Sequence, residues 1–140
     1  MKVNAREFDK YLDYEVLKEP WNLYDLEDGS TIKLKLVLLK VIPIRKDDKM
    51  DYAVNAANVV GVLAPEKLKA VPSNDYQQKP EIDQKDLSFT IAQEQWNEYK
   101  VEDGVLLKIK PAITSFDRLK NHDPYGEPIY IVNSQILVKV

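Results

Sequence analysis

Trp21-Asn22-Leu23-Tyr24-Asp25-Leu26-Glu27-Asp28-Gly29 returns 75 positions later as Trp96-Asn97-Glu98-Tyr99-Lys100-Val101-Glu102-Asp103-Gly104. Outward from this block, residues 10–42 align on residues 85–117 without a gap, and 11 of those 33 positions are identical. The register then slips by three residues. Tyr52-Ala53-Val54-Asn55 returns as Tyr130-Ile131-Val132-Asn133, and Val60 and Val62 return as Val138 and Val140. A repeat at fixed spacing bounds the architecture before any strand is placed. It points to an internal duplication of two units of about 55 residues, over 1–63 and 85–140. Residues 64–84 between them read as a polar linker broken by Pro65, Pro72 and Pro80.

Inside each block, alternation assigns the faces. Tyr24 and Leu26 share one side of a strand, as do Tyr99 and Val101. Ile32, Leu34 and Leu36 share one side of the next strand, and Leu107 and Ile109 do so in the second copy. A two-residue Asp-Gly turn would set Tyr24 opposite Lys33 and mix the faces. A three-residue loop with Gly29 left-handed sets Leu26 opposite Ser30 and Tyr24 opposite Ile32. That register places Trp21 opposite Lys35, Leu23 opposite Lys33, Trp96 opposite Lys110 and Glu98 opposite Lys108, all on the side away from the core.

Leu12, Tyr14 and Val16 alternate upstream, as do Leu87, Phe89 and Ile91. Downstream, Leu34 to Ile42 continues as a long strand; in the second copy Pro111 takes the place of Leu36, so an edge or a break is expected there. A charged loop over Arg45–Lys49 precedes one or two strands covering Tyr52–Asn55 and Val59–Leu63. The expected fold is therefore mainly β. With four or five short strands, each copy resembles a small SH3-like or Sm-like barrel, either as tandem units or as halves of one pseudo-two-fold barrel. A short N-terminal helix over residues 4–12 is expected from Asn4 as cap, Glu7, and the shared face of Phe8, Tyr11 and Leu12.

The 44% hydrophobic and 31% charged composition is that of a soluble globular chain. With no cysteine there is no disulfide framework, which fits a cytoplasmic location. No leader pattern and no apolar run of spanning length is present, so no membrane association is expected. A net charge of −3 disfavours nucleic acid, whose binders carry basic footprints.

Catalytic signals are sparse. Asp117, His122 and Asp123 cluster in sequence around a polar turn, Asp123-Pro124-Tyr125-Gly126, where a His–carboxylate pair could do acid–base work between the copies. Glu27-Asp28 and Glu102-Asp103 belong to turns and lack calcium-loop spacing; with one histidine and no cysteine, neither metal nor cofactor is expected. What the turn and core do not absorb is the aromatic–cationic outer face: Trp21, Lys33 and Lys35, and Trp96, Lys108 and Lys110. The expectation is a non-enzymatic binding or assembly module with a protein partner or self-association. Single-stranded nucleic acid on a stacking platform is the first alternative, and an enzyme using His122 is the second.

Overall fold

The computed structural model describes residues 11–73 and 79–140. The chain is mainly β, with nine strands among the described residues. These are β1 (Tyr14–Lys18), β2 (Trp21–Leu26), β3 (Thr31–Lys46), β4 (Lys49–Leu63), β5 (Ile82–Leu87), β6 (Phe89–Gln93), β7 (Asn97–Val101), β8 (Leu106–His122) and β9 (Pro128–Lys139). A single 3-10 turn, Glu66–Leu68, follows Pro65 in the connecting segment. The N-terminal helix expected over residues 4–12 falls almost entirely outside the described residues; Leu12 itself makes an extended bridge to Val41.

The first sheet runs β4-β3-β2-β6 and the second β1-β7-β8-β5, with β9 on the other side of β8. Neither sheet closes on itself among the described residues. The barrel expected from strand count is thus replaced by two open sheets. The reason lies in strand length. A 16-residue β3 and a 17-residue β8 are too long for one small barrel and extend from one core into the next.

The hairpins follow the expected register. Tyr24 pairs with Ile32, Leu23 with Lys33 and Trp21 with Lys35; Tyr99 pairs with Leu107 and Glu98 with Lys108. Leu26 N–H donates to Ser30 O and Val101 N–H to Val105 O. Gly29 and Gly104 close the turns at φ +93° and +90°, a region open to glycine without a Cβ clash. The β3–β4 and β8–β9 ladders also correspond: Leu34 pairs with Val60 as Ile109 with Val138, and Val41 with Val54 as Phe116 with Val132. Both bulge at matching places, between Leu38 and Lys40 and between Ile113 and Ser115. The charged loop after β3 is tighter than expected, a two-residue Asp47-Asp48 turn between paired Lys46 and Lys49. β4 is a single strand.

One short strand of each half, β1 and its counterpart β6, pairs with the other half. β1 lies against β7, and β6 against β2. The chain crosses over at Asp13 and Ser88. Leu12 still bridges Val41, and Leu87 still pairs with Phe116, within their own halves. At the crossings, Asp13 O accepts Glu102 N–H and Ser88 O accepts Glu27 N–H. Two cores result, and each draws on both halves. Leu36, Leu38, Val41 and Tyr52 pack with Tyr99, Val101, Leu107 and Ile109; Tyr24, Leu26, Ile32 and Leu34 pack with Leu87, Phe116 and Tyr130.

Pro111 neither ends β8 nor moves it to an edge. β8 has β7 beside it up to Ile109 and β5 from Phe116, while β9 runs along the opposite side. Pro111 sits in that gap, where the missing N–H deprives no ladder. In β3 the corresponding gap is filled by side chains: Leu36 O accepts Asn97 Nδ2 at 2.6 Å, Leu38 O accepts Tyr14 OH at 2.6 Å, and Leu38 N–H donates to Glu19.

Candidate functional site

The outer faces of the two sheets carry the Trp–Lys clusters. Trp21 is half-buried, with Lys33 Nζ 4.2 Å and Lys35 Nζ 5.2 Å from its ring centroid. Trp96 is half-buried, with Lys110 Nζ at 4.9 Å and Lys139 Nζ at 5.9 Å. An ammonium at such distances is held by the negative face of the indole, and the lysine stem covers apolar ring surface. Five of the six residues expected from sequence therefore meet as two clusters. Lys108 is the exception: it pairs with Lys139 across the ladder, and Lys139 occupies the place over Trp96.

The difference has a steric origin. Lys33 pairs with Gly61, and a Cβ on Gly61 would stand 2.9 Å from Lys33 Cγ. The missing side chain lets the Lys33 stem lie across β4. At the matching position β9 carries Lys139, which excludes that path for Lys108. The two halves reach the same cluster, one indole under two ammonium groups, with different lysines. The signal for Lys139 was in the sequence: it occupies the position of Gly61 when Val60 and Val62 are set on Val138 and Val140. Lys110 also faces Glu94 at 3.6 Å. Among the described residues, Lys33, Lys35 and Lys139 have no carboxylate within ion-pair distance.

The loop residues serve elsewhere. His122 Nε2 lies 2.9 Å from Leu68 O, and Asp123 Oδ1 accepts the N–H groups of Tyr125 and Glu127. Asp117 is buried and accepts Asp86 N–H at 2.7 Å and Asn133 Nδ2. Each of the three thus anchors a loop or a strand. Among the described residues, no three His, Cys, Asp or Glu side chains are grouped to hold a metal ion. No helix there is long and apolar enough to cross a membrane.

The turn aspartates, read from sequence as turn residues alone, also join the halves. Tyr130 OH donates to Asp28 at 2.6 Å, and Tyr52 OH donates to Asp103 at 2.5 Å. Tyr24 OH donates to Glu94 and Tyr99 OH to Glu19, both at 2.7 Å. Burial pushes the Tyr130 phenol up to about 12, with help from Asp28; the Asp103 hydrogen bond, then burial, pushes Tyr52 up to about 12. Tyr24 and Tyr99 are raised further by burial and by Glu94 and Glu19. Arg118 bridges Asp28 at 2.9 Å and Asp83 at 3.0 Å. Burial alone would raise the Asp28 carboxyl. Hydrogen bonds from Tyr130, Ser30 N–H and Arg118 outweigh it and hold Asp28 below the usual carboxylate range.

Comparison with protein-family models, curated proteins and solved structures gives no match for this chain.

Proposed function

We propose that the chain is an internally duplicated, non-enzymatic binding module in the cytoplasm, and that its two Trp–Lys faces take an acidic segment of a protein partner. The observation that carries this reading is the rebuilt cluster. Lys33 and Lys35 flank Trp21, while Lys110 and Lys139 flank Trp96, so the same arrangement stands on different residues. Two like charges close together at an apolar ring repel one another unless an anion lies between them. An acidic loop with two carboxylates and an apolar side chain matches such a face. Single-stranded nucleic acid fits less well. Phosphate-driven affinity grows with the number of cations engaged, and about two per face, on a chain of net charge −3, supply little.

Trp21 and Trp96 are the protein's two tryptophans, so indole emission reports on both faces and nothing else. Titration with poly-glutamate at low salt is expected to give a saturable change in emission. The change should vanish in about 1 M salt, where the screening length falls to about 3 Å, and in the variant K33Q/K35Q/K110Q/K139Q. An unchanged spectrum, or the same response in that variant, would remove the reading. A response to oligo-dT with none to poly-glutamate would move the partner to nucleic acid.

A further inference from the structure

The two tryptophans stand at one crossing in the fold. β1 leads into β2 through Glu19 and Pro20, and β6 leads into β7 through Glu94, Gln95 and Trp96. Each passage carries the chain from one sheet to the other. Lys18 pairs with Glu98 in the second sheet and Leu23 with Gln93 in the first, so only residues 19–22 and 94–97 lie between these pairs. Lys18 meets Glu98 as its counterpart Gln93 meets Leu23, the reciprocity of a local two-fold. Each short passage holds one tryptophan. The passages are tied together: Gln93 Nε2 donates to Trp21 O, and Gln95 N–H donates to Asn22 Oδ1, both at 2.9 Å. Through the second bond, standard bond lengths put the Cα atoms of Trp21 and Trp96 within about 16 Å of one another. The polar neighbours turn inward. Glu19 accepts Tyr99 OH and Leu38 N–H, Glu94 accepts Tyr24 OH, Asn97 donates to Leu36 O, and Asn22 is fully buried. Pro20, Trp21, Gln95 and Trp96 reach the surface, and Pro20 and Gln95 carry no charge. The carboxylate closest to a cluster is Glu94, which is already engaged by Tyr24 and Lys110.

We propose that one continuous segment of the partner occupies both Trp–Lys clusters, passing over this crossing, with acidic residues at its two ends and neutral ones between; the proposal rests on the reading of each cluster as a site for acidic side chains. One cluster alone offers two ammonium groups and one ring, a weak hold in salt. A segment bound at one cluster is confined near the other at an effective concentration on the order of millimolar. Even with the side chains of the two clusters pointing away from each other, the ammonium pairs stand no more than about 40 Å apart, which about twelve extended residues cover. The neutral middle of the segment matches Pro20 and Gln95. The difference between the clusters also fits a single occupant. A peptide has a direction, and a two-fold presents its two sites to that peptide in opposite senses. Lys33 and Lys35 from one strand serve the first site, while Lys110 and Lys139 from two strands serve the second.

Two synthetic probes and the full-length chain provide the test. One probe is the capped tripeptide Glu-Leu-Glu; the other carries that triplet at each end of a ten-residue Gly-Ser spacer. Titrations at low salt, followed by calorimetry and indole emission, should give one long peptide per chain, bound roughly tenfold or more tighter than the tripeptide. The variant K110Q/K139Q should abolish that gain and leave the long peptide no tighter than the tripeptide, with an unchanged circular dichroism spectrum. A long peptide that binds two per chain, that binds no tighter than the tripeptide, or that keeps its gain in K110Q/K139Q overturns the proposal and leaves the clusters as separate sites. Silence from both probes overturns the reading of the clusters themselves, and the proposal with it.

Discussion

At the scale of single residues, two positions hold more than their own loops. Gly126 sits at φ +88°, and a Cβ there would stand 2.0 Å from Ala70 O, the backbone on which the connecting segment docks. Ala70 N–H in turn donates to Gly126 O at 2.8 Å. Gly126→Ala therefore meets both a strained backbone and a clash. We expect a loss of roughly 1–3 kcal/mol in chemical denaturation, with the far-UV spectrum at low denaturant unchanged. Asp28 is the second. Its folded pKa lies below the ordinary 3.8, so its contribution is complete above that value and is lost as the pH falls through the folded value. The urea midpoint of the native protein should fall on acidification from pH 5 toward pH 2, and Asp28→Asn should flatten that fall. Equal slopes in the two proteins would show that Asp28 is not the group responsible.

At the scale of elements, the hairpins were legible in the sequence and the exchange of strands was not. A bulged turn is decided by residues a few positions apart, and face agreement selects one loop length, so the Trp21–Lys35 and Tyr24–Ile32 pairs could be placed from local pattern. Strand exchange is different. Tyr14-Glu15-Val16 and Phe89-Thr90-Ile91 resemble each other, so either could pair with either half, and alternation says nothing about which. The same blindness hid the Tyr130–Asp28 and Tyr52–Asp103 contacts, which exist because the halves interlock. Lys139 was missed for a smaller reason: its place over Trp96 depends on the neighbouring strand lacking the glycine found at Gly61. The β3–β4 turn carries its own prediction. Asp47 and Asp48 both hold positive φ, 43° and 67°, where a side chain costs about 1 kcal/mol. Asp48→Gly should raise stability by up to about that amount in a thermal melt, and a lower melting temperature would contradict it.

At the scale of the whole molecule, the interlocked cores hold the two Trp–Lys faces in fixed relation. The four tyrosines that reach carboxylates from the opposite half make the lock sensitive to alkali. Their folded pKa values lie above the ordinary 10.0, so their contribution is complete below pH 10 and is lost as the pH rises through the folded values, about 12 for Tyr52 and Tyr130. Phenolate absorbance should therefore rise in two phases, the later one coinciding with loss of the β spectrum. A single phase near pH 10 with structure retained would contradict this.

The central claim is that neither half contains a complete core, because β1 completes the second half and β6 the first. Separate expression of residues 1–63 and 64–140 tests it most directly, by circular dichroism and sedimentation of each piece alone and of the equimolar mixture. The account predicts that neither piece alone gives a monomer with a cooperative melt, and that mixing restores the β spectrum, the cooperative melt and a one-to-one complex. A monomeric, cooperatively melting fold from either piece alone would contradict it.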